Sequence, residues 1–333
     1  MMQAIQVPVP GGDFEFVQRE IPEPLDNEVL IRVEACGICH GDAVTKEGHF
    51  PGITYPRIPG HEVVGKIQKV GTKVSAWKTG QRVGVGWHAG HCFQCEPCRR
   101  GDFWNCVNAT TTGISSDGGY AEFMVARSEA LVAIPDAISS VDAAPLLCAG
   151  RTTLGALQAS GAQGGDFVAV AGIGGLGHLA VQYARKLGFR TAAISRGSEK
   201  KSLAKQLGAH VFIDTKTASA SEELKKQGGA KVILCTAPNA KLIADLMEGL
   251  CPGGRLIVVA FTRETLQVPA PLLLVGGRSI SGWVGGNIDD ALRFSVLAGV
   301  KPMVETLRLE DARAGYEKMM SSTVHFRGVL KMG

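Results

Sequence analysis

The clearest patterning of apolar and polar positions lies in the middle of the chain. From Phe167 the residues read FVAVAG, then GIGGLG, then HLAVQYARKLG. A short apolar run gives way at the glycines to apolar positions at helical spacing, ending at Gly188. This predicts a buried strand, a glycine turn and an amphipathic helix. The rhythm continues with a strand near Thr191–Ile194, a helix near Lys200–Leu207 and a strand near His210–Ile213. Strands near Lys231–Cys235 and Arg255–Ala260 follow, with a helix around Leu242–Leu250 between them, and a last strand near Ser279–Val284. Alternation at this spacing predicts a doubly wound parallel sheet. The stretch from Phe167 to Ala184 lacks Asp, Glu, Lys and Arg and is nominally long enough to cross a bilayer. Its glycines and its change of period fit a strand, turn and helix in water better.

The glycines Gly172, Gly174 and Gly177 match G-x-G-x-x-G, with Gly175 inside the turn. The first permits the turn, the second lets backbone approach a pyrophosphate, and the third lets helix meet strand, with the helix N-terminus facing the anion. The end of the second strand selects the nucleotide. An acidic residue there would accept from a ribose 2′-hydroxyl and repel a 2′-phosphate. This chain has Ser195-Arg196-Gly197-Ser198, then Lys200 and Lys201. A hydroxyl and a guanidinium, with Lys200 or Lys201 in reserve, favour NADP(H) over NAD(H). A solvated basic helix start is the plainer alternative.

Length and composition bound the rest. At 333 residues two domains are expected, and 45% hydrophobic with 20% charged residues excludes a disordered chain. A formal charge of +4 is too weak to imply nucleic acid or an anionic membrane as partner. The start MMQAIQVPVPGG lacks a basic segment followed by an apolar core, so a cytoplasmic location is expected.

Nine cysteines change the picture more. Cys92, Cys95, Cys98 and Cys106 fall within GHCFQCEPCRRGDFWNC, a spacing that lets four thiolates close a tetrahedron around a structural zinc. Arg99 and Arg100 are placed to soften its negative charge. Four reduced surface thiols are the alternative. A second, dispersed set comprises Cys39 in CGICHGD, His61-Glu62 in PGHEVVG, and Cys148 in LLCAG. Two thiolates and an imidazole make a three-ligand site with a fourth position left for water, a substrate oxygen or a nearby carboxylate. No member is persuasive alone, since a lone cysteine such as Cys148 on an apolar run reads as a small buried hydrophobe. Cys36, Cys235 and Cys251 have no matching partners.

Taken together, CGICHGD, PGHEVVG, the four-cysteine lobe, LLCAGRTT, AGIGGLG and the closing HFRGVLKM resemble the zinc-dependent alcohol dehydrogenases of the medium-chain dehydrogenase/reductase superfamily. The likeness covers essentially the whole chain and is nearest the microbial ethanol-type and cinnamyl-alcohol-type branches. It implies a GroES-like β-rich catalytic domain from residues 1–147 and 286–333, with the structural-zinc lobe near 91–107, and a Rossmann domain over 148–285. It also implies two zinc ions per chain, a small alcohol or aldehyde substrate, and a homo-oligomer, dimer or tetramer. By this resemblance Cys39, His61 and Cys148 correspond to catalytic zinc ligands, and Glu62 to a carboxylate that approaches the metal. Asp42 corresponds to the carboxylate orienting the zinc-binding histidine. His40 and Arg327 correspond to pyrophosphate contacts, and Thr152 and Leu176 to residues lining the nicotinamide. Trp87 corresponds to a wall of the substrate pocket, with an ordinary packed aromatic as the alternative.

One departure stands out. The family usually has Ser or Thr after the Cys-His pair, whose hydroxyl takes the alcohol proton; this chain has Gly41, and Val44 where many relatives carry a relay histidine. Gly41 is also expected to enlarge the pocket beside the metal. His49 is a candidate substitute in the relay, or a surface histidine. Three functions are therefore carried forward. The leading one is an NADP(H)-dependent alcohol dehydrogenase or aldehyde reductase. The second keeps fold and cofactor but reduces an iminium or activated C=C, which needs no alcohol relay. The third is a non-catalytic NADPH-binding protein, against which the intact Cys39/His61/Cys148 set argues.

Overall fold

The computed structural model describes residues 1–321, 323–324 and 326–333, so His325, which opens the closing motif, lies outside the described residues. The chain forms two compact units. One comprises Met1–Cys148, Ile288–Val296 and Pro302–Gly333; the other comprises Ala149–Asn287 and Leu297–Lys301.

The second unit carries the alternating pattern. Phe167–Ala171 is flanked on one side by Arg190–Ser195 and then Val211–Asp214, and on the other by Ala230–Cys235, Leu250–Val258 and Ser279–Gly282. Every neighbouring pair is parallel. This is the doubly wound order, in which connections reverse direction beside the first strand. All five residues of Phe167–Ala171 are buried, as a central parallel strand covered on both faces requires. The helix Gly177–Lys186 follows the glycine turn. The fifth strand begins at Leu250 rather than Arg255, because a register shift against Ala230 and Val232 lets pairing start ahead of the apolar run. The helix Ala220–Lys226 went unexpected, although Ser219 and Glu222 carry a capping signature: the Ser219 hydroxyl accepts from the Glu222 N–H.

In the first unit one strand organises the rest. Glu28–Gly37 pairs along one edge with Val63–Val70, and its other edge is shared by Phe123–Arg127 and the C-terminal strand Arg327–Lys331. Arg82–Val85 and Leu131–Ala133 extend the sheet beyond Val63–Val70, and Val304–Arg308 lies outside Arg327–Lys331. Strand Glu28–Gly37 is buried almost throughout, and Ile31, Val33, Cys36, Ile67, Tyr120 and Leu330 join one core cluster. Fold class is thus mixed α/β: a β-rich GroES-like unit and a Rossmann-like parallel sheet.

The register has a chemical consequence. Cys36 pairs with Val63, Val329 pairs with Gly37, and the Ile38 N–H donates to the Gly328 carbonyl at 2.8 Å. One end of the sheet therefore collects Cys39, His61-Glu62 and Arg327, which lie far apart in the chain. Among the described residues no helix is long and apolar enough to cross a membrane.

The glycine turn separates two roles by geometry. A Cβ on Gly177 would lie 1.9 Å from the Gly172 carbonyl oxygen, whereas one on Gly174 would meet nothing within 4 Å. Gly177→Ala is expected to cost about 1–3 kcal/mol in urea unfolding, the usual penalty of overpacking. Gly174→Ala is expected to stay within about 0.5 kcal/mol of the parent; equal losses for the two variants would contradict this division.

Candidate active site

The short helix Asp42–Glu47 follows the first strand of this sheet end, and the Pro59-Gly60 turn delivers His61 and Glu62 at the start of the next. Cys148 arrives on a π-helical turn, Leu146–Gly150, an irregularity often found at functional sites. Ligand atoms of Cys39, His61, Glu62 and Cys148 all lie within 4.8 Å of one another. The two sulfurs are 3.9 Å apart, far beyond a disulfide bond. Thiolates about 2.3 Å from one tetrahedral zinc stand about 3.8 Å apart, so this separation fits a shared cation.

Hydrogen bonding points the same way. His61 Nδ1 lies 2.9 Å from Asp42 Oδ1, while Asp42 Oδ2 accepts from the Cys39 N–H at 2.8 Å and the Tyr120 hydroxyl at 2.9 Å. A carboxylate accepts, so Nδ1 is a donor and Nε2 is the ring nitrogen left to face the cluster. Nε2 is buried without a hydrogen-bond partner, and so is Glu62 Oε2. Polar atoms buried without partners are costly, and a cation bound among them removes that cost. Burial alone would push the His61 imidazolium down, but the Asp42 carboxylate and Cys39 raise it to about 9. Cys39 is held well below the usual thiol range, first by its hydrogen bond with Cys148. The cluster is thus electron-rich and holds a proton that a divalent ion can displace.

Glu62 Oε1 forms a buried ion pair with Arg327, which is 3% exposed. Arg327, expected to face a pyrophosphate, is therefore engaged with Glu62. Its pairing ties the C-terminal strand to the cluster, and removing one partner from such a pair costs about 3–5 kcal/mol. His40 and His49 are exposed.

The expectation of an enlarged pocket at Gly41 is overturned. The Trp87 and His61 rings meet edge to face with centroids 4.8 Å apart. A Cβ built on Gly41 would lie 2.7 Å from His61 Cε1 and 2.8 Å from Trp87 Cζ3. The volume a serine would take is filled by two rings, so glycine here is a packing requirement. Val44 lies on the same helix.

In the lobe, Cys92, Cys95, Cys98 and Cys106 have all their sulfurs within 4.8 Å of one another. Cys106 lies 3.6 Å from Cys92 and 3.8 Å from Cys95, again the edge length of a zinc tetrahedron. Backbone N–H groups of Cys92, Cys95 and Asn108 donate to these sulfurs at 3.3–3.4 Å. Hydrogen bonds from Gln94 and Cys95 lower the Cys92 thiol to about 6. Charge is thus softened by amides. Arg99 instead donates to the Gln94 carbonyl, and Arg100 pairs with Glu96.

In the nucleotide unit, Gly172 adopts φ +95°, and the open space over Gly174 is the approach a pyrophosphate needs. Lys200 Nζ donates to the Ile173 carbonyl at 2.7 Å, so the lysine reaches the glycine turn. Ser195 ends the second strand and Arg196 beyond it is exposed. Asp214, closing the third strand, accepts from the N–H groups of Gly197 and Lys216 at 2.7 and 2.8 Å. Thr152 is buried in the helix Arg151–Gln158, and Leu176 directly precedes the helix Gly177–Lys186.

Sequence reasoning missed Tyr120 and the Glu62–Arg327 pair. The string Asp117-Gly118-Gly119-Tyr120 reads as a turn, and no one-dimensional signal places its hydroxyl on Asp42.

Residues 25–136 match the family model of the alcohol dehydrogenase GroES-like domain, and residues 175–297 that of zinc-binding dehydrogenase. Alcohol dehydrogenase notN of Aspergillus sp. (strain MF297-2) is 40% identical over 316 residues, covering 94% of this chain and 92% of its own. The CAD structure from Helicobacter pylori complexed with NADP(H) superposes with a TM-score of 0.86 at 26% identity, covering 99% of this chain and 97% of that one. An NAD-dependent alcohol dehydrogenase structure gives a TM-score of 0.92 at 25% identity, covering 100% of both chains.

Gly41→Ser is expected to destabilise the first unit by about 1–3 kcal/mol, the usual overpacking cost. In a Trp87→Ala background, Gly41→Ser is expected to cost less than it does in the parent, because one of the two clashes is removed. Chemical denaturation of the two variants checks this, and a fully tolerated Gly41→Ser would show that the rings yield freely.

Proposed function

The chain belongs to the zinc-binding alcohol dehydrogenases of the medium-chain dehydrogenase/reductase superfamily, and we propose that it interconverts a small alcohol with its aldehyde or ketone, using NADP(H) in preference to NAD(H). The observation that carries this reading is the buried convergence of Cys39, His61, Glu62 and Cys148, with His61 Nε2 and Glu62 Oε2 unpartnered. Cys39, His61 and Cys148 hold a catalytic zinc in this reading, Glu62 stands in reserve, and Cys92, Cys95, Cys98 and Cys106 hold a structural one. When bound, zinc supplies Lewis acidity to a substrate oxygen and the nicotinamide supplies or accepts hydride.

The protein's own groups do the rest. Asp42 fixes the tautomer and direction of His61. Arg327 holds Glu62 by one oxygen, and a Glu62 carboxylate oxygen lies within the cluster. His40 and Arg327 serve the nucleotide phosphates in the family pattern, but the buried pairing of Arg327 gives its guanidinium a first duty to Glu62. Ser195, Arg196 and Lys200 are the groups offered to a 2′-phosphate, and Trp87 walls the substrate side of His61. Thr152 and Leu176 are assigned to the nicotinamide, and the Rossmann domain to residues 148–285. The same reading carries a cytoplasmic location and a homo-oligomer.

A second reading has a specific observation behind it. Position 41 bears no hydroxyl and has no room for one, so the usual first acceptor of the alcohol proton is missing. Reduction of an iminium or activated C=C avoids that demand.

A panel of primary alcohols, aldehydes, cyclic imines and enones, run with NADPH and NADH and with and without a zinc chelator, separates the two. Aldehyde and alcohol turnover that vanishes on chelation supports the leading reading; turnover of imines or enones alone favours the second. Arg196→Asp is expected to lower kcat/KM with NADPH at least tenfold and leave NADH largely unaffected, about 1.4 kcal/mol of discrimination. An unaltered NADPH-to-NADH ratio would place 2′-phosphate recognition elsewhere.

A further inference from the structure

Asp42 is 1% exposed and takes three hydrogen bonds, one of which comes from a residue with no assigned role. Tyr120 is wholly buried, and its hydroxyl donates to Asp42 Oδ2 at 2.9 Å. Its backbone is equally engaged. The segment Gly118–Tyr120 runs beside Ile58–Gly60, with N–H groups of Gly118, Gly119 and Tyr120 donating to the carbonyls of Ile58, Gly60 and Pro59 at 2.8–3.0 Å. That turn immediately precedes His61. Gly60 sits at φ +104°, and a Cβ there would lie 2.4 Å from the Tyr120 ring. Ring and hydroxyl thus touch the two groups that aim the imidazole: the turn that delivers it and the carboxylate that holds it.

We propose that Tyr120 is a positioning residue for the cation centre, holding the Asp42 carboxylate so that Oδ1 receives His61 Nδ1–H and Nε2 is aimed at the thiolates. The proposal rests on the metal reading of Cys39, His61 and Cys148. Its physical basis is rotational. The carboxylate of an aspartate turns readily about its last torsion. Oδ2 has two donors, one backbone and one phenolic, and together they set the plane in which Oδ1 meets the imidazole. With the phenol gone, the Cys39 N–H alone fixes that plane. The carboxylate is then free to tilt, and the imidazole loses part of its alignment. Burial, followed by the Asp42 charge, pushes the Tyr120 phenol well above its usual range, so its hydroxyl stays a donor.

Tyr120→Phe keeps the ring against Gly60 and removes only the hydroxyl. The zinc-loaded protein is titrated with a chromophoric chelator, and the affinities of its zinc ions are read separately. Tyr120→Phe is expected to weaken one ion about tenfold, the low end for loss of an outer partner of a metal ligand, and to leave the other unchanged. The visible absorption of the cobalt-substituted centre should shift with it. Tyr316→Phe serves as control, because the Tyr316 hydroxyl is buried without a partner; it should bind metal like the parent. In an Asp42→Asn background, Tyr120→Phe should add no further loss, since its effect passes through that carboxylate.

Parent-like affinity in Tyr120→Phe would overturn the proposal. So would equal weakening of both ions, which marks a general structural role, or an undiminished loss in the Asp42→Asn background. Cys148→Ala tests the underlying reading separately: it should cost one zinc ion. If both ions survive that change, the assignment of the centre is wrong, and the role of Tyr120 falls with it.

Discussion

The buried carboxylate of Asp42 is the constraint on which the candidate site depends. An ionised side chain at 1% exposure persists only when its oxygens are well supplied with donors, and three groups supply them. Each donor comes from a different part of the first unit: the loop after the first long strand, the turn before the next, and the Gly118–Tyr120 segment hydrogen-bonded alongside that turn. Meeting the needs of one carboxylate therefore fixes three backbones relative to one another. The imidazole direction, the placement of the Cys39 sulfur and the close fit of Tyr120 on Gly60 follow from it.

A second buried charge pair reinforces the first. Glu62 and Arg327 join the His-Glu turn to the C-terminal strand, so Arg327 helps build a cluster whose other residues lie mostly in the first half of the chain. Electrostatics inside this cluster are unbalanced. Cys39, Glu62 and Asp42 outweigh Arg327 and His61, and two buried polar atoms have no hydrogen-bond partner. A divalent cation corrects both defects at once. The lobe reaches a similar balance more cheaply, with backbone amides directed at sulfur and its arginines occupied elsewhere.

Crowding also shapes the chemistry. The rings of His61 and Trp87 close over Gly41 and leave no volume for the hydroxyl that usually receives the alcohol proton. Glycine at this position therefore reads as one half of a matched pair with tryptophan. Proton movement must then depend on groups other than the side chain at position 41.

Much was legible in the sequence, and for identifiable reasons. The Rossmann-like sheet could be read because buried strands, glycine turns and amphipathic helices each leave a local periodic trace. The clustering of the four cysteines could be read because they lie within one short loop, where spacing alone limits the geometry. The three dispersed residues Cys39, His61 and Cys148 could be named only as a set, since nothing local distinguishes Cys148 from a small core residue. Tertiary structure decided what depends on contacts between distant segments: Tyr120 on Asp42, Arg327 turned to Glu62, and two rings filling the space at Gly41. Such contacts arise from tertiary folding, which brings together residues separated by 78 positions in one case and 265 in another, and no pattern along a single stretch of chain records them.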